Sequence, residues 1–148
     1  MSRYTLKGGC HCGAIRLEVE LSRPPATYHP RACDCDFCRK HGAAYLSDPA
    51  GTLRIHMRDA DGLARYRQGD QLADFLLCKT CGVLVGVTYT EVGRTFATLN
   101  RLVIEDGADF AETKPVSPKT LGADEKVGRW KALWISDVEL VTPAGLPP

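Results

Sequence analysis

No stretch of this 148-residue chain approaches the roughly 18 consecutive apolar residues that a membrane-spanning helix needs. The opening twenty residues, MSRYTLKGGCHCGAIRLEVE, hold no apolar run long enough for a secretory signal, so the expected location is cytoplasmic. An excess of one charge is missing as well. Nineteen basic residues face eighteen acidic ones, for a formal net charge of +1. The basic residues are scattered rather than striped, which argues against a nucleic-acid partner. There is no low-complexity run and no linker-like composition shift. Hydrophobic residues at 44% and charged residues at 25% are the balance of an ordinary globular chain. One domain over residues 1–148 is therefore expected.

Long helical patterns are scarce too, and strand patterns fill their place. Ile15, Leu17, Val19 and Leu21 alternate with Arg16, Glu18 and Glu20, and Leu53, Ile55 and Met57 alternate with Arg54, His56 and Arg58. Both are half-buried strands at period two. Residues 72–78, 83–89, 94–100 and 138–141 read as further strands. The apolar run VLVGVTY (83–89) is expected to be buried on both faces. DPAG (48–51), DADG (59–62) and RQGD (67–70) supply turns. Two helices are expected: a short one in DFCRKHG (36–42), and a weaker one over 124–134, interrupted by Gly128. Residues 112–126, with Pro115, Pro118 and Gly122, read as a surface loop, one that could flank a site. The tail 143–148 is expected to fray.

Cysteine is what the chain has in concentration. All seven sit in three clusters: Cys10 and Cys12 in GGCHCGA, Cys33, Cys35 and Cys38 in CDCDFC, and Cys78 and Cys81 in CKTCG. In a reducing compartment such clusters point to metal or redox chemistry rather than structural disulfides. Thiolates at short spacing suit zinc, which closes a structural site with four protein ligands and leaves a position open in a catalytic one. Seven divides as four plus three. Gly13 and Gly82 directly follow Cys12 and Cys81, and glycine allows the sharp turn that aims backbone amides at the sulfurs. Cys10, Cys12, Cys78 and Cys81 are therefore the expected closed site. Cys33, Cys35 and Cys38 are the expected open one, giving two zinc ions per chain. A redox reading stays open, with Cys35 and Cys38 as a CxxC dithiol.

Seven thiolates and two Zn²⁺ would take the net charge from +1 to about −2. A zinc held by three thiolates is itself anionic. Arg39, Lys40 and His41, directly after Cys38, could balance an anionic substrate there; a solvated turn is the alternative. A protein side chain could also close the three-thiolate site. The candidates are Asp34, Asp36, His41, Asp48 and His29, and Asp34 is expected to point away from the metal.

These residues have a familiar order. GGCHCGAIRLEV, CDCDFCRKHGA, CKTCGV and TLNRL (98–102) together resemble the glutathione-dependent formaldehyde-activating enzymes, a family that includes centromere protein V-like members. The resemblance runs from about residue 8 to 102. It implies a mainly β domain of coiled antiparallel sheets around zinc-ribbon-like knuckles. It implies Cys10, Cys12, Cys78 and Cys81 as structural zinc ligands, and Cys33, Cys35 and Cys38 as a second, catalytic zinc site. The implied reaction is carbon–sulfur lyase chemistry on thiol–aldehyde adducts such as S-hydroxymethylglutathione, with a small thiol such as glutathione and a small aldehyde as partners. Asn100 and Arg101, with Arg39 and Lys40, are then candidate substrate-binding residues, and Tyr45 and Tyr66 candidate pocket walls. A non-catalytic zinc module and a cysteine-based redox or metal sensor remain the alternatives.

Overall fold

The structure is a computed structural model, and it describes residues 3–105 and 109–143. The chain is mostly β, 42% strand against 20% helix, in one small domain of two sheets. The first sheet is built from the period-two segments. Strand β1 (Tyr4–Gly9) pairs antiparallel with β2 (Ile15–Leu21), and β2 with β5 (Thr52–Met57). The register sets Leu17 against Ile55 and Val19 against Leu53. One face is therefore a continuous apolar surface, and all four residues are almost fully buried. Edge-to-face alternation makes this register costly to slip, since one step would turn every apolar side chain to water.

The second sheet has seven strands. Its middle is the antiparallel run β7 (Asp74–Cys78), β8 (Leu84–Glu91) and β9 (Arg94–Asn100), with β6 (Leu63–Tyr66) outside β7. The first five residues of β8 are buried, as its unbroken apolar run predicts. On the other flank lie β4 (Tyr45–Leu46), β3 (Arg31–Cys33) and β10 (Lys114–Val116). A core of Ile15, Leu17, Val19, Leu21, Leu53, Ile55, Val85 and Leu99 lies between the sheets.

Helix α1 (Asp36–His41) follows β3 and stops at Gly42, which takes the left-handed conformation at φ 60°. Helix α2 (Ala123–Leu133) leads into β11 (Asp137–Val141). Both helices fall where the sequence places them. The antiparallel expectation needs one amendment: β10 runs parallel to β3, and β11 runs parallel to β5. Both strands arrive after long connections, and parallel pairing requires such a crossover. The segment 112–126 is likewise no free loop. It contains β10, and Asp34 N–H donates to the Val116 carbonyl at 3.1 Å. Most of the tail 143–148 lies outside the described residues; Pro143 is exposed.

Candidate functional site

The four cysteines split between the chain's start and its middle come together at one end of the fold. Cys10, Cys12, Cys78 and Cys81 have all their sulfurs within 4.8 Å of one another. Two sulfur–sulfur separations, Cys10 to Cys12 and Cys12 to Cys78, are 3.7 Å. Four sulfurs placed tetrahedrally at about 2.3 Å from a zinc ion lie about 3.8 Å apart. The donor set therefore fits zinc, and the separations are far too long for disulfides, which need about 2.05 Å. The turns that produce this spacing rest on Gly13 and Gly82, at φ 84° and φ 81°. They aim amides at sulfur: Ile15 N–H donates to Cys10 Sγ at 3.3 Å and Cys81 N–H to Cys78 Sγ at 3.5 Å.

These donors set thiol acidity. The amides of Cys12 and Val83 hold the Cys81 thiol down at about 6. At Cys10, burial raises the value, but the Ile15 amide and neighbouring thiols bring it below the ordinary one. Cys12 goes the other way: the Ala14 amide lowers its value, but desolvation and the three other thiols push it up to about 11. Four sulfurs this close share protons, and a cation in their midst would replace those protons.

Cys33, Cys35 and Cys38 form the second group, again with sulfurs within 4.8 Å. Strand β3 delivers Cys33. Cys35 caps α1, its sulfur accepting from Cys38 N–H at 3.4 Å. Cys38 is buried, and its sulfur lies 3.0 Å from the Tyr45 hydroxyl. The contact with Cys38 is the main cause that lowers the Cys33 thiol to about 6. Cys38 itself is raised well above the ordinary thiol value, first by that same contact and then by burial. Burial, and next the charge of Cys38, likewise raise Tyr45, so its hydroxyl stays protonated and able to donate to a thiolate.

Among the described residues, no histidine or carboxylate donor joins the three sulfurs. Of the side chains considered for that place, Asp36 is exposed and four make other contacts. Asp48 is buried beside Ser22, Tyr28 and Ala50. His29 Nδ1 lies 2.8 Å from the Glu112 carbonyl, and His41 packs on Phe37. Asp34 does not join the three sulfurs; its Oδ2 accepts from Ser117 Oγ at 2.5 Å with Lys119 Nζ at 3.8 Å, and its Oδ1 is buried.

The three sulfurs border a cavity of about 380 Å³ with a mainly apolar lining. Tyr45, Phe75, Val87, Leu133, Trp130 and Trp134 contribute to its walls. The two indoles stack at 4.9 Å. Arg31, Lys119, Lys126 and Arg129 add charge to the lining. Gln68, in the RQGD turn, places Nε2 3.9 Å from Cys35 Sγ. Burial, with the charge of Arg129 as a second cause, lowers Arg31 below its ordinary value.

The residues named from sequence as substrate binders fall outside this cavity. Arg39 and Arg101 line a separate, more open depression that also touches Cys33 and Cys38, and Lys40 is exposed and borders neither. Asn100 is buried: its amide donates to the Leu84 carbonyl at 2.9 Å, and its oxygen accepts from Leu102 N–H at 3.3 Å. That is the work of a strand-end residue, not an open binding group. Tyr66 is half exposed and stacks on Phe37 rather than walling the cavity. Sequence reading missed Arg31, Arg129, Trp130 and Trp134. The only local signal was the long segment before the second helix, which does flank the site through Pro118, Lys119 and Leu121.

The sequence profile of the glutathione-dependent formaldehyde-activating enzyme family matches residues 5–119. This chain belongs to that family. A Halomonas elongata protein named "Putative glutathione-dependent formaldehyde-activating enzyme" is 43% identical over 56 residues, a stretch covering 34% of this chain and 34% of that protein. The crystal structure of a Rhodobacter sphaeroides protein, a structural-genomics target, superposes with a TM-score of 0.55 at 29% identity. That superposition covers 92% of this chain and all of the other. The family profile ends at residue 119, so α2 and β11 lie beyond it.

Proposed function

We propose that this family member is a zinc-dependent enzyme that forms and cleaves the carbon–sulfur bond of thiol–aldehyde adducts, S-hydroxymethylglutathione being the type of product. The carrying observation is the group of three clustered cysteines, with no fourth histidine, cysteine or carboxylate donor among the described residues, bordering a cavity. In this reading Cys10, Cys12, Cys78 and Cys81 hold a structural zinc, and Cys33, Cys35 and Cys38 hold the second ion. Bound there, zinc would supply Lewis acidity and lower the pKa of a substrate thiol.

The chain's own residues do the rest. The cavity wall brings thiol and aldehyde together and keeps water out, which favours addition over competing hydration. The substrate sulfur attacks the aldehyde carbon; the new carbon–sulfur bond forms as the carbonyl π bond breaks. The proton lost from the thiol ends on the carbonyl oxygen, so the product is a hemithioacetal and the reverse path is its cleavage. Tyr45, protonated and hydrogen-bonded at Cys38 Sγ, fixes the orientation of one cysteine. The three cysteines are the catalytic set in this reading.

The test is native mass spectrometry joined to an NMR assay of glutathione with formaldehyde. The expected result is two zinc ions per chain and faster adduct formation. In Cys35→Ser one ion and the acceleration should be lost while the fold is kept. One tightly held ion and no acceleration would defeat the reading and leave a redox or binding role for the second cluster.

A further inference from the structure

The cavity beside Cys33, Cys35 and Cys38 joins a cationic lining, which any carboxylate could use, to an apolar wall that formaldehyde and a polar tripeptide do not. Four cationic side chains line it, against a single carboxylate, Asp70. Two of the four are paired: Lys126 with Asp70 at 2.8 Å and Lys119 with Asp34 at 3.8 Å. Arg31 and Arg129 make no ion pair among the described residues. Arg31 donates only to the neutral Ser47 Oγ, at 3.0 Å. A half-buried guanidinium beside a second one is a costly arrangement unless an anion joins them, and guanidinium is the side chain best suited to bind a carboxylate through two hydrogen bonds. Three thiolates with one divalent cation would carry a single negative charge. That charge offsets one guanidinium and leaves the other for a ligand.

Apart from Gln68, Thr98, the Tyr45 hydroxyl and the three thiols, the remaining lining is apolar. Trp130 and Trp134 stack along one side, with Phe75, Leu72 and Leu133 near them. Such a wall gains from burying a ring or branched alkyl group and gains little from a one-carbon aldehyde. Trp130, Trp134, Leu133 and Arg129 all come from residues beyond 119, where the family match ends. The segment that would select the ligand therefore lies beyond the region that the family profile matches.

We propose that the cavity takes a monocarboxylate with an aromatic or branched apolar body, its carboxylate between Arg31 and Arg129 and its body against Trp130 and Trp134. Resting on the reading of this cavity as the substrate site, the substrate is then a thiol or aldehyde bearing such a carboxylate.

The chain's two tryptophans both line the cavity, so their emission reports its occupancy directly. The zinc-loaded full chain is titrated with 3-phenylpropanoate, with 3-phenylpropan-1-ol and with propanoate. A saturable change with 3-phenylpropanoate is expected, with the alcohol and propanoate each about tenfold weaker. Arg129→Gln, an exposed residue with no partner to orphan, should weaken 3-phenylpropanoate by about tenfold without lowering the melting temperature. No saturable change, equal binding of the alcohol, or an unchanged Arg129→Gln would each overturn the proposal. The two readings fail separately. Adduct formation from glutathione and formaldehyde without probe binding overturns the ligand class and leaves the enzyme reading standing. Arg129-dependent probe binding by a protein that accelerates adduct formation from formaldehyde with neither glutathione nor an aromatic thiol bearing a carboxylate supports the ligand class and sinks the enzyme reading.

Discussion

At the scale of single residues, the two cysteine groups make different demands on the fold. Cys78 is buried in a four-sulfur cluster that ties β1 to β7. Cys78→Ser is expected to abolish cooperative melting, because a structural zinc contributes its binding energy to folding. Cys35→Ser should melt close to the parent; equal damage from both would erase the distinction between the sites. Asp48 carries a separate prediction. Its carboxylate accepts from Tyr28 Oη at 2.5 Å, from Ser22 N and Oγ at 2.8 Å each, and from Ala50 N at 2.9 Å. Burial raises its pKa, but these donors together bring it below the ordinary 3.8. A lowered folded-state pKa gives stability that is present above the unfolded value and lost as pH falls through the folded one. Asp48→Ala should cost about 2–4 kcal/mol at neutral pH, by leaving buried donors unpaired. The same variant should flatten the acid limb of the stability curve below pH ~4. Denaturant melts at a series of pH values read both effects.

Among the elements, the knuckles and α2 respond in opposite directions to the same substitution. Gly13 and Gly82 sit at positive φ with open space where a Cβ would stand. Gly82→Ala therefore meets only the conformational penalty, about 1–2 kcal/mol. It should loosen metal at the four-thiol site, read as faster zinc transfer to a chromogenic chelator, while zinc at the three-thiol site transfers as before. Gly128 lies inside α2, exposed, with nothing within 4 Å of a built Cβ. Gly128→Ala should stabilise by about 0.5–1 kcal/mol, because alanine loses less backbone entropy in a helix. A fall in melting temperature would mean that α2 needs the glycine for some other reason.

For the whole molecule, the four-thiol site links the first hairpin of one sheet to the β7–β8 hairpin of the other. Removing zinc with a strong chelator should therefore lower thermal stability as one cooperative transition, seen by circular dichroism. Loss of only one stoichiometric ion with unchanged melting would place the ion in the three-thiol site. The C-terminal segment closes the assembly from the other side. Strand β11 completes the first sheet, Ala97 and Ile135 exchange backbone hydrogen bonds at 2.9 Å, and α2 walls the cavity.

Much of this was legible one residue at a time. Period-two alternation marked β2 and β5, the unbroken apolar run marked β8, and Gly42 marked the end of α1. Cysteine spacing and the glycine after each knuckle grouped seven thiols as four and three, because short-range geometry decides which donors can share an ion. Short strands were not legible. β3, β4 and β10 span two or three residues, too few for a period, and their hydrogen bonds come from partners distant in sequence. The cavity belongs to the same class. Arg31 and Arg129 are ordinary surface-type residues in the sequence, 98 positions apart by their numbers, and only the return of the chain through α2 brings them to the cavity that the three sulfurs border. The sequence by itself determined the grouping of the thiols into two sets that could hold metal ions and the β character, because both follow from local spacing. Tertiary structure alone decided which charges and rings surround that chemistry, because those neighbours are brought together by chain return and not by proximity along the chain.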